Sequence, residues 1–275
     1  MNAGLKLGGF VVAIAMIFAA AALAGDQLGP DRSGESRGAH SGDAVAPDSI
    51  RGLAVSDAGL TLELATTTLE PGRPGELRFS VRGADGAPVR DFEVEHEKRM
   101  HLIVVRRDGR GFQHLHPALD ASGTWSVPLT LPEAGAYRAF ADFKRDGAPR
   151  TLAADLTVDG AADYRPLPAA AASVDAGHGY EVRLDAARVR AGSETVLDFS
   201  VTRNGRAIHV APYLGARGHL VALRAGDLAF LHVHPDEDSL AFMAEFPSAG
   251  RYRLYLQFKH EGRVHTAEFT QEVSR

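Results

Sequence analysis

Residues 76–81, Glu76-Leu77-Arg78-Phe79-Ser80-Val81, alternate polar and apolar side chains. A period of two marks a strand with one face in a core and the other in water. Leu60-Thr61-Leu62-Glu63-Leu64 follows the same rule. The pattern then returns far along the chain. Leu77-Arg78-Phe79-Ser80-Val81 recurs as Leu197-Asp198-Phe199-Ser200-Val201, and Phe143-Lys144 recurs as Phe258-Lys259. Pro132-Glu133-Ala134-Gly135-Ala136-Tyr137-Arg138 recurs as Pro247-Ser248-Ala249-Gly250-Arg251-Tyr252-Arg253. Pro-Gly, Asp-Gly and Asn-Gly pairs punctuate the strands, and no stretch beyond Leu53 keeps a helical period. The expected fold is therefore all-β, two tandem immunoglobulin-like β-sandwich domains, with each Gly-x-Tyr at the tyrosine-corner position of such folds.

The domains are expected at residues 51–160 and 179–275, joined by an Ala- and Pro-rich linker at 161–178. Lys6 followed by the apolar stretch 8–24 makes residues 1–25 a signal peptide or an uncleaved membrane anchor. Residues 26–50 are rich in Gly, Ser, Asp and Pro and read as a flexible tether. Either fate of the N-terminus places the domains outside the cytoplasm, secreted or anchored to the cell membrane by that segment.

A length of 275 residues accommodates two domains, and a formal charge of -5 offers no broad cationic field, so nucleic acid is not an expected partner. The chain has no cysteine, which excludes disulfides, thiolate metal sites and cysteine nucleophiles. It has 12 histidines, and their placement is informative.

Residues 100–117, MHLIVVRRDGRGFQHLHP, align without gaps on residues 218–235, GHLVALRAGDLAFLHVHP. The shared positions are His101/His219, Leu102/Leu220, Arg106/Arg224, Phe112/Phe230, His114/His232, His116/His234 and Pro117/Pro235. Each window reads as a hairpin, turning at Asp108-Gly109 in the first copy and at Gly226-Asp227 in the second. Counting outward from those turns sets His101 opposite His116 and His219 opposite His234. His114 and His232 fall two residues earlier on the same face. Three imidazoles so placed suit a divalent ion with an open fourth position. The metal-ligand candidates are thus His101, His114 and His116 in one copy and His219, His232 and His234 in the other. His96, Met100 and Asp142 are further candidates found in the first copy alone, because Leu214, Gly218 and Gln257 stand at the matching places. A donor set rich in imidazole and poor in sulfur selects Cu(II) or Zn(II). The competing structural reading notes that Ile103, Val105 and Phe112 share that face, as do Val221, Leu223 and Phe230. The histidines would then cap one end of each sandwich core.

The run Glu95-His96-Glu97-Lys98-Arg99-Met100-His101-Leu102-Ile103-Val104-Val105, with His114-Leu115-His116-Pro117 and Phe140-Ala141-Asp142-Phe143, resembles a family of exported bacterial domains. Those domains are common in actinobacteria, often tandem, and similar ones occur beside heavy-metal transport proteins. The resemblance implies a role in heavy-metal handling, with a membrane metal-transport protein as a partner. The second copy departs from the pattern before His219.

The function expected from the residues is binding of copper or zinc outside the cytoplasm, as chaperone, buffer or sensor. The alternatives are a non-catalytic, tethered interaction module with structural histidines, and a zinc hydrolase or hydratase. An enzyme is not expected, because Asp142, the one candidate general base near the cluster, becomes Gln257 in the second copy.

Overall fold

Alternation is realised strand by strand. The computed structural model describes residues 50–275 apart from 187 and 232. The expected export segment at 1–25, the tether as far as residue 49, and His232 lie outside the described residues. Among the described residues the regular elements are all strands, and no helix is long and apolar enough to cross a membrane.

The first repeat runs β1 (Ser56–Asp57), β2 (Leu60–Leu64), β3 (Thr68–Leu69), β4 (Gly75–Arg82), β5 (His101–Arg106), β6 (Gln113–Leu115), β7 (Ala118–Leu119), β8 (Trp125–Leu129), β9 (Gly135–Arg145) and β10 (Ala148–Val158). The second runs β11 (Ser173–Asp175), β12 (Tyr180–Asp185), β13 (Glu194–Arg203), β14 (Arg206–Ala207), β15 (Gly218–Arg224), β16 (Phe230–Leu231), β17 (Val233–Pro235), β18 (Ala241–Glu245), β19 (Gly250–His260) and β20 (Arg263–Val273). In the first repeat a sheet ordered β1-β2-β4-β8-β7 stacks on one ordered β3-β10-β9-β5-β6. The second repeats the plan, with β11-β12-β13-β18-β17 on β16-β15-β19-β20. Among the named strands, pairing is antiparallel apart from β3 beside β10. This is the expected pair of immunoglobulin-like sandwiches, although β11 falls inside the stretch expected to be linker.

Each sandwich has its own core. Leu77, Phe79, Val81 and Trp125 meet Leu102, Val104 and Tyr137 in the first, and Leu197, Phe199, Val201 and Phe242 meet Leu220, Tyr252 and Leu254 in the second. Both tyrosine corners form: Tyr137 Oη donates to the Glu133 carbonyl, and Tyr252 Oη to the Ser248 carbonyl, each at 2.9 Å.

A third core joins the repeats. Ile103, Val105, Phe140 and Ala153 of the first pack with Val221, Leu223, Leu228, Phe230 and Tyr255 of the second. Phe112 stacks on Tyr255 with ring centroids 4.1 Å apart, and Tyr255 Oη donates to the Gly109 carbonyl at 2.7 Å. Each side chain fully buried there contributes about 1.5–3 kcal/mol. The connecting segment is held to this interface as well. Tyr164 Oη accepts from the Ala136 amide at 2.7 Å, and the Arg165 amide donates to Asp108 Oδ2 at 3.0 Å. On the other side of the interface, residues 51–54 run between the repeats. The Phe230 amide donates to the Arg51 carbonyl (2.9 Å), the Gly52 amide to Thr151 (3.1 Å) and the Ala153 amide to Ala54 (2.9 Å). Gly52 has a φ of 71°, and a Cβ there would stand 2.8 Å from the rings and side chains of Phe140 and Phe230. No other residue fits that position.

Separate, independent folding of the halves is the simplest expectation from two copies and a linker, but either half alone would bare this third core. Residues 48–275 accordingly form one compact unit. Leu223→Ala, at the centre of the third core, should cost about 2–5 kcal/mol. Denaturant melts followed by far-ultraviolet circular dichroism should show one transition, displaced as a whole, in both wild type and variant. Two transitions, with one unmoved, would contradict a shared interface.

Candidate metal centre

Strand β5 is buried on both faces along its whole length. Leu102 and Val104 point into the first core, while His101, Ile103 and Val105 point outward, toward the second repeat. The facing strand β15 does the same with His219, Val221 and Leu223. The histidines therefore lie on the outer sheet faces where the repeats meet, and not at the end of either sandwich core.

The first hairpin keeps the expected register by a different turn. The Gly109 amide donates to the Arg106 carbonyl and the Arg106 amide to the Arg110 carbonyl, both at 2.8 Å, so Arg107 and Asp108 are the central residues. The return strand then carries two extra residues, at Gly109 and Gly111, whose φ values are 74° and 63°. The two departures cancel. The ladder reads Val104↔Gln113, Ile103↔His114 and Leu102↔Leu115, and His116, just past the strand, stands with its ring centroid 5.1 Å from that of His101.

The three side chains converge, with ligating nitrogens of His101, His114 and His116 all within 4.8 Å of one another. Their outer hydrogen bonds decide where the protons sit. His101 Nε2 lies 3.1 Å from the Glu95 carbonyl, and His114 Nδ1 lies 2.7 Å from Gln257 Oε1. Gln257 Nε2 donates to Thr266 Oγ1 at 3.4 Å, which leaves Oε1 for His114. The Glu95 carbonyl can only accept, and Gln257 Oε1 accepts in the orientation the structure gives its amide, so both outer nitrogens carry the hydrogen. That leaves the lone pairs of His101 Nδ1 and His114 Nε2 facing each other across 2.9 Å. On the third ring, His116 Nε2 is buried with no hydrogen-bond partner among the described residues. Burial keeps all three neutral. It pushes His101 from the ordinary 6.5 down to about 4, His114 to about 3 and His116 to about 4, and neighbouring positive groups add to the shift.

The other candidates are distributed differently. His219 joins this cluster from the second repeat. Its ring centroid lies 4.7 Å from that of His114 and 5.3 Å from that of His101, and burial holds it well below its usual range. His96, in a left-handed turn with φ 48°, lies at the rim, 6.2 Å from His101 and 5.8 Å from His219 between ring centroids. Met100 is not a ligand candidate, since it is buried in the first core on the opposite face of the strand. Asp142 is the register partner of His101, but its Oδ1 accepts from Thr151 Oγ1 at 2.6 Å. It stands outside the converging group. Burial raises its carboxyl to about 6.

In the second copy His219 and His234, expected to share a site, lie on strands of different sheets. That copy's hairpin holds register through Leu223↔Phe230 and Ala222↔Leu231. The chain then crosses to the other sheet, where Val233 pairs with Ala244 and packs on the second core. His234 goes with it, exposed and opposite Met243. His232 lies outside the described residues. The crossing comes earlier than in the first copy, where the chain changes sheets only after His116 and pairs again at Ala118↔Ser126. Gln257, in contrast, serves the cluster as the acceptor that orients His114, a role not visible when it is read only as the replacement for Asp142.

Buried neutral imidazoles make stability pH-dependent. A histidine whose folded pKa is depressed stabilises the fold above its unfolded value of 6.5, and that stabilisation is lost as pH falls toward the folded value. Asp142, raised to about 6, acts in the opposite sense, one group against His101, His114, His116 and His219. In chelator-treated protein the urea midpoint should therefore fall between pH 6.5 and pH 4.5, and His114→Leu should flatten that fall. A midpoint that is constant or rising toward pH 4.5 would contradict the assignment of neutral, buried rings.

Comparison with curated proteins finds no match. Among solved structures, the chain is similar to the Escherichia coli adhesin FdeC, at 16% identity and a TM-score of 0.29, covering 81% of this chain and 66% of that one. It is similar to the Yersinia pseudotuberculosis adhesin InvE at 13% identity and a TM-score of 0.25, covering 80% and 60%. It is similar to the titin domains Z1Z2, solved in complex with telethonin, at 16% identity and a TM-score of 0.21, covering 80% and 97%. A family model matches twice, over residues 54–160 and again over 172–275, so both copies are of one kind. The chain belongs to the family described as a domain of unknown function, DUF8832.

Proposed function

We propose that this protein binds one divalent metal ion, copper or zinc, at His101, His114 and His116, and acts outside the cytoplasm as a metal chaperone, buffer or sensor. The observation that carries the reading is the pair of lone pairs, on His101 Nδ1 and His114 Nε2, held 2.9 Å apart by acceptors on their outer nitrogens. Two such atoms repel each other unless a proton or a cation lies between them, and the depressed pKa values disfavour the proton. Glu95 and Gln257 stand where the outer partners of metal-bound histidines stand, fixing tautomer and ring orientation. With Met100 turned into the core, the donor set is imidazole alone, which fits Zn(II) or Cu(II) better than Cu(I). The Asp142 carboxylate engages Thr151 in place of the cluster, which favours binding over hydrolysis. Placement outside the cytoplasm rests on the apolar stretch at 8–24. A membrane metal-transport protein is the partner this role implies.

Calorimetric titration of the purified protein with Zn(II) and with Cu(II) should give one ion per chain. His114→Ala should weaken binding sharply, and His234→Ala should leave stoichiometry and affinity intact. A hundredfold excess of metal over Kd should stabilise the fold by about 2.7 kcal/mol. Two ions per chain, or binding unaffected by His114→Ala, would contradict the assignment. If neither ion binds, the imidazoles are structural and the chain is an interaction module.

A further inference from the structure

The cluster is built from both repeats. The first supplies His101, His114 and His116, and the second supplies Gln257, whose side chain fixes His114 across a separation of 143 residues. Gln257 is in turn the register partner of His219 on the adjoining strand. His219 lies on the face of β15 that carries Val221 and Leu223 into the shared core, so its ring is directed at the first repeat by the same packing. Four imidazoles of the first repeat, His114, His101, His96 and His116, act on it electrostatically. The ring lies flat against His101, with an interplanar angle of 7°.

We propose that His219 is the fourth ligand of the ion, so that metal binding joins the two repeats through a closed, four-imidazole site. This rests on the metal reading above. The ligating atoms of His101, His114 and His116 already lie within 4.8 Å of one another, and His219 reaches the ion by turning out of its stack on His101. Divalent zinc takes four ligands in tetrahedral array at sites without an open position, and Cu(II) accepts four nitrogens in a flatter one. A closed site holds and releases an ion but leaves no position for a reactive water. The ion would tie β5 and β6 of one repeat to β15 of the other, and occupancy would stiffen the interface between them.

The test is continuous-wave and pulsed electron paramagnetic resonance of the full chain loaded with one equivalent of Cu(II), together with titration of wild type, His219→Ala and His114→Ala. The wild type should show four imidazole nitrogens on copper. His219→Ala should still bind one ion with three, at an affinity lower by about tenfold or more. Should His219→Ala lose its β-type circular dichroism, His219→Gln keeps a polar side chain in the half-buried position and serves in its place. Four imidazoles and unchanged affinity without His219 would overturn the cross-repeat ligand while leaving the three-histidine site standing. Undiminished affinity in His114→Ala, or no binding by wild type, would overturn both.

Discussion

Ile103, Val105 and Phe140 meet Val221, Leu223 and Tyr255 face to face, and the histidine cluster exists because they do. Each of these residues lies on the outer face of its own sandwich, a surface that an isolated immunoglobulin-like domain would give to water. Covering it with the other repeat encloses whatever stands at the end of the same strands. In the first repeat that is His101 with its hairpin partners His114 and His116, and in the second it is His219 with Gln257 beside it. The apolar contact leaves His101 buried and His114, His116 and His219 half-buried, and loss of water lowers their basicity and leaves them neutral at physiological pH. Neutral rings with tautomers fixed from outside are the form that a cation takes up.

Positions shared by the two repeats divide into two groups by what they touch. Arg106 holds Asp108 at 2.9 and 2.7 Å and Glu133 at 2.7 Å, and Arg224 holds Asp227 at 3.0 Å and Ser248 at 2.9 Å. Glu133 and Ser248 are the residues whose carbonyls accept from the corner tyrosines. These arginines tie each hairpin turn to its tyrosine corner, and their recurrence is a matter of the fold. The histidines differ, because the same positions have different fates in the two copies. His101 and His219 enter one common site, whereas His116 joins it and His234 stands exposed on another sheet.

Much of this could be read from the residues. Period-two alternation identifies strands such as Leu60–Leu64 and Gly75–Arg82, and Gly-rich turns set hairpin register closely enough to bring His101, His114 and His116 to one face. The contact between repeats had a signal too. Leu102-Ile103-Val104-Val105 and Leu220-Val221-Ala222-Leu223 break the alternation, and an unbroken apolar run in a strand means burial on both faces. What such a run does not carry is the identity of the covering surface, which here is the other copy. The point at which a strand changes sheets was not legible either. His232-Val233-His234-Pro235 and His114-Leu115-His116-Pro117 differ little in pattern, yet Val233 pairs with Ala244 while Leu115 pairs with Leu102. Local sequence specifies the hairpin, and competition between two sheet edges decides where it ends.

The central claim is that two repeats make one metal site and not two. It is tested most directly by a crystal structure grown with Zn(II), with anomalous differences collected on both sides of the zinc edge. The account predicts a single ordered peak per chain, bonded to His101 Nδ1 and His114 Nε2 with His116 completing the set from the same repeat, at Zn–N distances of about 2.0–2.1 Å. A peak in each repeat, or none among these histidines, would contradict it.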